Sequence, residues 1–140
     1  HSTTQFPDLS HATIAGRPAL EIVGRDWFEG EFIAAVQQRG ADVIRVRGKS
    51  SAASAANAAI ATMQTWLRGT PTGESTSMAV CSDGSYGIEP GLMCSYPVEV
   101  RDGRWQVVRG LELDDFSQGK IKASEAELIA ERDMIRHLLG

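Results

Sequence analysis

The chain has 140 residues, 42% of them hydrophobic and 23% charged, with a formal net charge of −4. That length buries one core of ordinary domain size, and the composition is that of a soluble globular chain. Arg and Lys scattered among Asp and Glu argue against nonspecific nucleic-acid binding, and no run of about 18 apolar residues is present to span a membrane.

The opening HSTTQFPDLS is polar, carries Pro7 and reads as a loop. It has neither a basic nor an apolar region of the kind a signal peptide needs. His11–Val23 holds two short extended stretches, HATIAG and PALEIV, broken at Gly16–Arg17–Pro18. From Asp26, the spacing of Trp27, Phe28, Phe32, Ile33 and Val36 is helical, with Asp26 as N-cap. This helix stops at Gly40 or passes through it, since Val43, Ile44 and Val46 continue the apolar face. Arg45, Arg47 and Lys49 then read as a solvated helix end.

Ser50 to Arg68 is the second helix, closed by Gly69 and Pro71. Its first half, SSAASAANAAIA, has almost no bulk, so another backbone can lie close against it. It is either a tightly packed core helix or an interface element. Thr76–Ser82 reads as a strand, and Gly91–Arg101 and Arg104–Arg109 alternate about Asp102–Gly103 as a hairpin. Tyr96, Val98 and Val100 share one face of it. Asp114 to Leu138 is helical again, with Ser124 and Glu127 as a capping box and an apolar stripe of Leu128, Ile129, Ile135, Leu138 and Leu139. The order predicts an α+β fold with a mostly antiparallel sheet.

No GxGxxG, GxxxxGK[ST], HExxH or GxSxG occurs, so these residues contain no phosphate-cradling loop, zinc motif or serine elbow. No metal site is expected, and Ser82–Asp83–Gly84 is a turn. Cys81 and Cys94 lie in strand-like contexts and are expected as buried reduced thiols; a disulfide would need their Cα atoms within about 7 Å. His11 and His137 are placed on element surfaces, and Asp8 caps a turn.

Four segments in order, HSTTQFPDLSHA, WFEGEFIAAVQQRGADVIRVRGKSSAASAANAAI, SMAVCSDGSYGIEPGLMCSYPVEV and GLELDDFS, resemble malate dehydrogenases of the cytosolic-like type. These belong to the lactate/malate dehydrogenase superfamily, and the resemblance covers essentially the whole chain. It implies the α+β C-terminal domain of those enzymes over residues 1–140, the substrate-side portion, without the N-terminal dinucleotide-binding half. It makes His1 the general acid/base and places Ser50, with Ser51 as the one-residue alternative, at the loop-to-helix position near the nicotinamide. Imidazole, with a pKa near about 6.5, can take and return a hydroxyl proton around neutrality.

The resemblance further implies NAD as cofactor, malate and oxaloacetate as substrates, a homodimer, a cytoplasmic location and a role in the tricarboxylic acid cycle. The orienting aspartate and the arginines that bind the dicarboxylate belong to the upstream half in that family, as does the residue that distinguishes NAD from NADP. These 140 residues alone are therefore expected to be inactive. Two other readings compete. One is a noncatalytic dimerisation fragment built on the Ala-rich helix. The other is a copper site at an N-terminal His1, which needs His11 or His137 close by.

Overall fold

The periodicity of apolar residues sets most element types, and the computed structural model describes residues 4–138. Along the chain come β1 (Thr13–Ile14), β2 (Arg17–Pro18), α1 (Ala19–Val23), α2 (Arg25–Trp27), a π-helical turn (Phe28–Phe32) and α3 (Ile33–Arg47). Then follow α4 (Ala53–Arg68), β3 (Thr76–Cys81), a 3₁₀ turn (Ser85–Gly87), β4 (Met93–Arg101), β5 (Arg104–Val107), α5 (Asp115–Ile135) and a 3₁₀ turn (Arg136–Leu138). Helices and an antiparallel three-stranded sheet make this an α+β fold. The contacts divide the chain into two compact units: the described residues of His1–Ser51 with Glu112–Gly140, and Ala52–Leu111.

In the first unit, β1 and β2 form a two-residue ribbon closed by Ala15 and Gly16, both at positive φ. Beyond Pro18, which closes β2, the stretch PALEIV is helical rather than extended. Pro18 presets a helix-compatible φ and Ala19 opens α1, which ends at Gly24 in the positive-φ region. Gly24, not Asp26, occupies the N-cap position of the next helix, and Asp26 lies in its first turn. The π-helical turn at Phe28–Phe32 sets the Trp27 and Phe32 rings 5.1 Å apart and the Phe28 and Phe32 rings 6.2 Å apart. α3 runs through Gly40 and stops at Gly48, whose left-handed φ of 71° suits the end of a helix. Arg45 and Arg47 are exposed on its last turn, as the charge pattern implies.

α5 is capped by Asp114, whose carboxylate accepts the Ser117 amide at 2.8 Å. Ser124 and Glu127 are therefore mid-helix, not a capping box. Asp114 takes the cap because no helical turn precedes it, while Ser124 already has helix on its N-terminal side.

In the second unit, β4 is central, paired with β3 and β5. Met78, Val80, Tyr96, Val98 and Val100 are buried, and alternate positions of β3 are exposed. The β4–β5 hairpin turns at Asp102 and Gly103, with φ of 50° and 72°, the two successive positive values a tight hairpin turn demands. α4 starts at Ala53, so Ser50 is not its N-cap, and no side chain caps it. Its C-terminal end is tied to the sheet: Trp66 Nε1 donates to Gly103 O at 2.7 Å, and Thr70 N donates to Val100 O at 3.1 Å.

Cys81 pairs with Met93 and Cys94 with Val80 across β3 and β4. Paired residues share a face and neighbours alternate, so the two thiols point to opposite sides of the sheet. Neither is in a disulfide, and Cys81 is exposed rather than buried because it lies on the outward face at the strand's end.

Candidate active site

His1, the residue assigned to proton transfer, lies outside the described residues. The segment that follows it is held by three successive residues within the first unit. Thr4 Oγ1 donates to the Glu127 carboxylate, and Thr4 O accepts from Ser124 Oγ at 2.7 Å. Gln5 O accepts from Gln37 Nε2 of α3 at 2.9 Å. The Phe6 ring lies 6.1 Å from Phe28 in a tilted arrangement and 6.0 Å from Phe116 edge-on.

Ser124 and Glu127 reach the same residue because positions three apart on a helix are neighbours on one face. The spacing that reads as a capping box is used here as a clamp on a distant loop. A single sequence shows the spacing but not what lies across from it.

The loop then turns. Asp8 Oδ1 accepts from Ser10 N at 2.9 Å and from Ser10 Oγ at 2.6 Å, a side-chain-closed turn of the kind Asp favours. His11 is exposed, and its Nε2 lies 2.8 Å from Glu112 O. His137 is exposed on the 3₁₀ turn after α5.

Ser50 is exposed in the connection between α3 and α4, and its carbonyl accepts from Arg47 Nη1 at 3.5 Å. Gly48 ends α3 just before it, so the serine sits on irregular backbone rather than in a helical turn. The Ala-rich stretch of α4 that follows is exposed throughout, and no residue of this helix is buried in the chain.

An ion pair organises the start of α5. Arg25 Nη2 meets Asp114 Oδ2 at 2.5 Å, and Arg25 Nη1 meets Glu29 Oε1 at 2.6 Å. The Ser117 amide, with the Arg25 guanidinium beside it, holds the Asp114 carboxyl down to about 2, so it is ionised at neutral pH. Neither residue carries a motif; their pairing joins positions that only folding brings together.

Among the described residues, no three His, Cys, Asp or Glu side chains gather as a metal site, and no helix is long and apolar enough to cross a membrane.

The model of the lactate/malate dehydrogenase alpha/beta C-terminal domain matches residues 1–138. Malate dehydrogenase from Naegleria fowleri is 48% identical, with a TM-score of 0.90, over 99% of this chain and 42% of that one. Trichomonas vaginalis lactate dehydrogenase, solved with NADH and oxamate, is 32% identical, with a TM-score of 0.87, over 97% of this chain and 44% of that one. Malate dehydrogenase from Salinibacter ruber, at 22% identity and a TM-score of 0.82, shares the fold. The chain thus spans less than half the length of the solved proteins it matches. With a domain model matched almost end to end and two relatives above 30% identity, this chain belongs to the lactate/malate dehydrogenase family and represents its C-terminal domain.

Proposed function

We propose that this chain forms the substrate side of an NAD-dependent malate dehydrogenase that interconverts (S)-malate and oxaloacetate, with His1 as the general acid/base. The observation that carries the choice of malate over lactate is the 48% identity to a malate dehydrogenase, against 32% to a lactate dehydrogenase. In malate oxidation the His1 imidazole takes the hydroxyl proton as the C2–H bond breaks and the carbonyl forms. NAD, when bound, accepts the hydride.

Ser50 is an exposed hydroxyl on the irregular stretch before α4, chemistry suited to the polar nicotinamide end of the cofactor. No glycine-rich loop in this sequence would cradle the cofactor's phosphates, so the chain's own contribution to NAD is confined to that end. In this reading the arginines for the dicarboxylate and the aspartate that orients His1 come from a dinucleotide-binding half, and the enzyme works in the cytoplasm.

The uncovered Ala-rich face of α4 supports a homodimer or a domain contact. Ala52, Ala53, Ala55, Ala56 and Ala59 allow helix approach at the short end of about 8–10 Å.

The decisive assay measures NADH oxidation with oxaloacetate and with pyruvate, using the enzyme that joins this chain to a dinucleotide-binding half. Oxaloacetate is the expected substrate, and preference for pyruvate would make the protein a lactate dehydrogenase. His1→Asn is expected to lower kcat by about 10²–10⁴-fold while NADH still binds. An unchanged rate removes His1 from the mechanism. Ala56→Trp overpacks the α4 contact by about 1–3 kcal/mol if that face is covered. It should then shift the enzyme toward monomer or lower its Tm.

A further inference from the structure

The β4–β5 hairpin sets two like charges opposite one another. Arg101 ends β4, Arg104 opens β5, and the two are register partners across the turn. The Cβ atoms of such a pair stand about 4.5–5.5 Å apart, and like charges placed there destabilise a sheet. Alternation puts Glu99 and Gln106, the next pair on this face, beside them, while Val98 and Val100 turn to the core. A cleft of about 410 Å³ opens here, lined by Arg101, Asp102, Arg104 and Gln106. All of these residues belong to the second unit.

The cleft is held in place from behind. Arg101 Nη1 donates to Thr70 O at 2.8 Å. Thr70 is itself fixed to Val100, donating its amide to Val100 O at 3.1 Å and accepting from Val100 N at Oγ1 at 3.2 Å. The turn between the arginines is pinned where Gly103 O accepts from Trp66 Nε1 at 2.7 Å. A site ordered in advance does not lose binding energy to its own ordering.

Glu99 stands 3.7 Å from Arg101 Nη2, balancing part of its charge without occupying its donors at hydrogen-bond length. The Arg104 side chain has no hydrogen-bond or ion-pair partner among the described residues. Two forked, donor-only groups thus share one cleft, and the geometry of a guanidinium matches a phosphate. Asp102 in the same lining repels a bare anion but accepts from a hydroxyl, as the Gln106 carbonyl does.

We propose that this cleft binds a small phosphate monoester that also carries a hydroxyl group. The phosphate lies between Arg101 and Arg104, and the hydroxyl donates to Asp102 or Gln106. The site owes nothing to His1 or Ser50.

The test titrates glycerol 3-phosphate by calorimetry, at low salt, into the enzyme that joins this chain to a dinucleotide-binding half. Excess NADH keeps the cofactor site filled, and inorganic phosphate and malonate run as separate arms. Saturable binding of one equivalent per chain is expected, at least about tenfold tighter than either control anion. Arg104→Gln should weaken it by about tenfold or more, and Arg104→Lys, which keeps the charge but not the fork, by less. Tm and kcat with oxaloacetate should not move in Arg104→Gln, since that side chain has no partner to lose.

Absence of saturable binding overturns the proposal. Wild-type affinity in Arg104→Gln overturns it too, because the ester then sits elsewhere. Malonate or inorganic phosphate binding as tightly as the ester removes the assignment to a phosphate monoester.

Discussion

Arg25 and Asp114 form an ion pair at 2.5 Å between residues 89 positions apart, and the same Asp114 carboxylate accepts the Ser117 amide at the start of α5. One side chain thus ends a loop, starts the longest helix and binds the element that leads into α3. Helix entry and tertiary docking are coupled at a single carboxylate.

The pH dependence of that coupling has a defined sign. The folded-state carboxyl of Asp114 sits near about 2, below the about 3.9 of an unfolded aspartate. A depressed carboxyl contributes stability that is complete above the unfolded value and lost as pH falls from about 4 through about 2. Acid unfolding of wild type and Asp114→Asn should therefore converge across that window and differ above it. Curves that stay parallel down to the lowest pH would show that the carboxylate's charge contributes nothing.

Two positions of β4 should respond unequally to truncation. Val98 is fully buried, while Met93 on the same strand is 60% exposed. Val98→Ala removes two buried methyl groups and should cost about 2 kcal/mol in denaturant unfolding. Met93→Ala should stay within about 0.5 kcal/mol. Equal losses at the two sites would mean that Met93 is covered in the working enzyme.

Two glycines separate strain from entropy. Gly69 ends α4 at a φ of 83°, and a Cβ there would stand 2.9 Å from the Val100 carbonyl oxygen. Gly69→Ala should destabilise by about 1 kcal/mol or more, because both backbone and neighbour resist it. Gly119 lies inside α5 with nothing within 4 Å of an added Cβ. Gly119→Ala should stabilise by about 0.5–1 kcal/mol, read as a higher Tm.

The thiols differ in access. Cys81 is exposed and Cys94 half-buried on the other face of the sheet. A thiol-reactive chromophore applied to native protein should label one cysteine rapidly, and Cys81→Ser should remove that phase. Retention of the fast phase in Cys81→Ser would assign it to Cys94.

Local signals in the chain determined a good deal. A helix carrying Ile33 and Val36, the Asp102–Gly103 hairpin, the Tyr96–Val98–Val100 face and the Asp8 turn all follow from periodicity or turn chemistry, which act over a few residues; that the helix passes through Gly40 did not. The family is also readable there, since long segments such as HSTTQFPDLSHA carry it in order.

What only the tertiary structure decided is which of several local options each polar residue takes. Ser124 and Glu127 have the spacing of a cap, yet α5 already runs through them because Asp114 starts it earlier, so they turn to Thr4. PALEIV has strand-like residues, yet Ala19–Val23 of it are helical, with Ala19 buried. Ser50 has the look of a cap and stands outside its helix. For Ser124 and Glu127 the partner that takes the side chain, Thr4, lies more than a hundred residues away in sequence, beyond the reach of any local pattern.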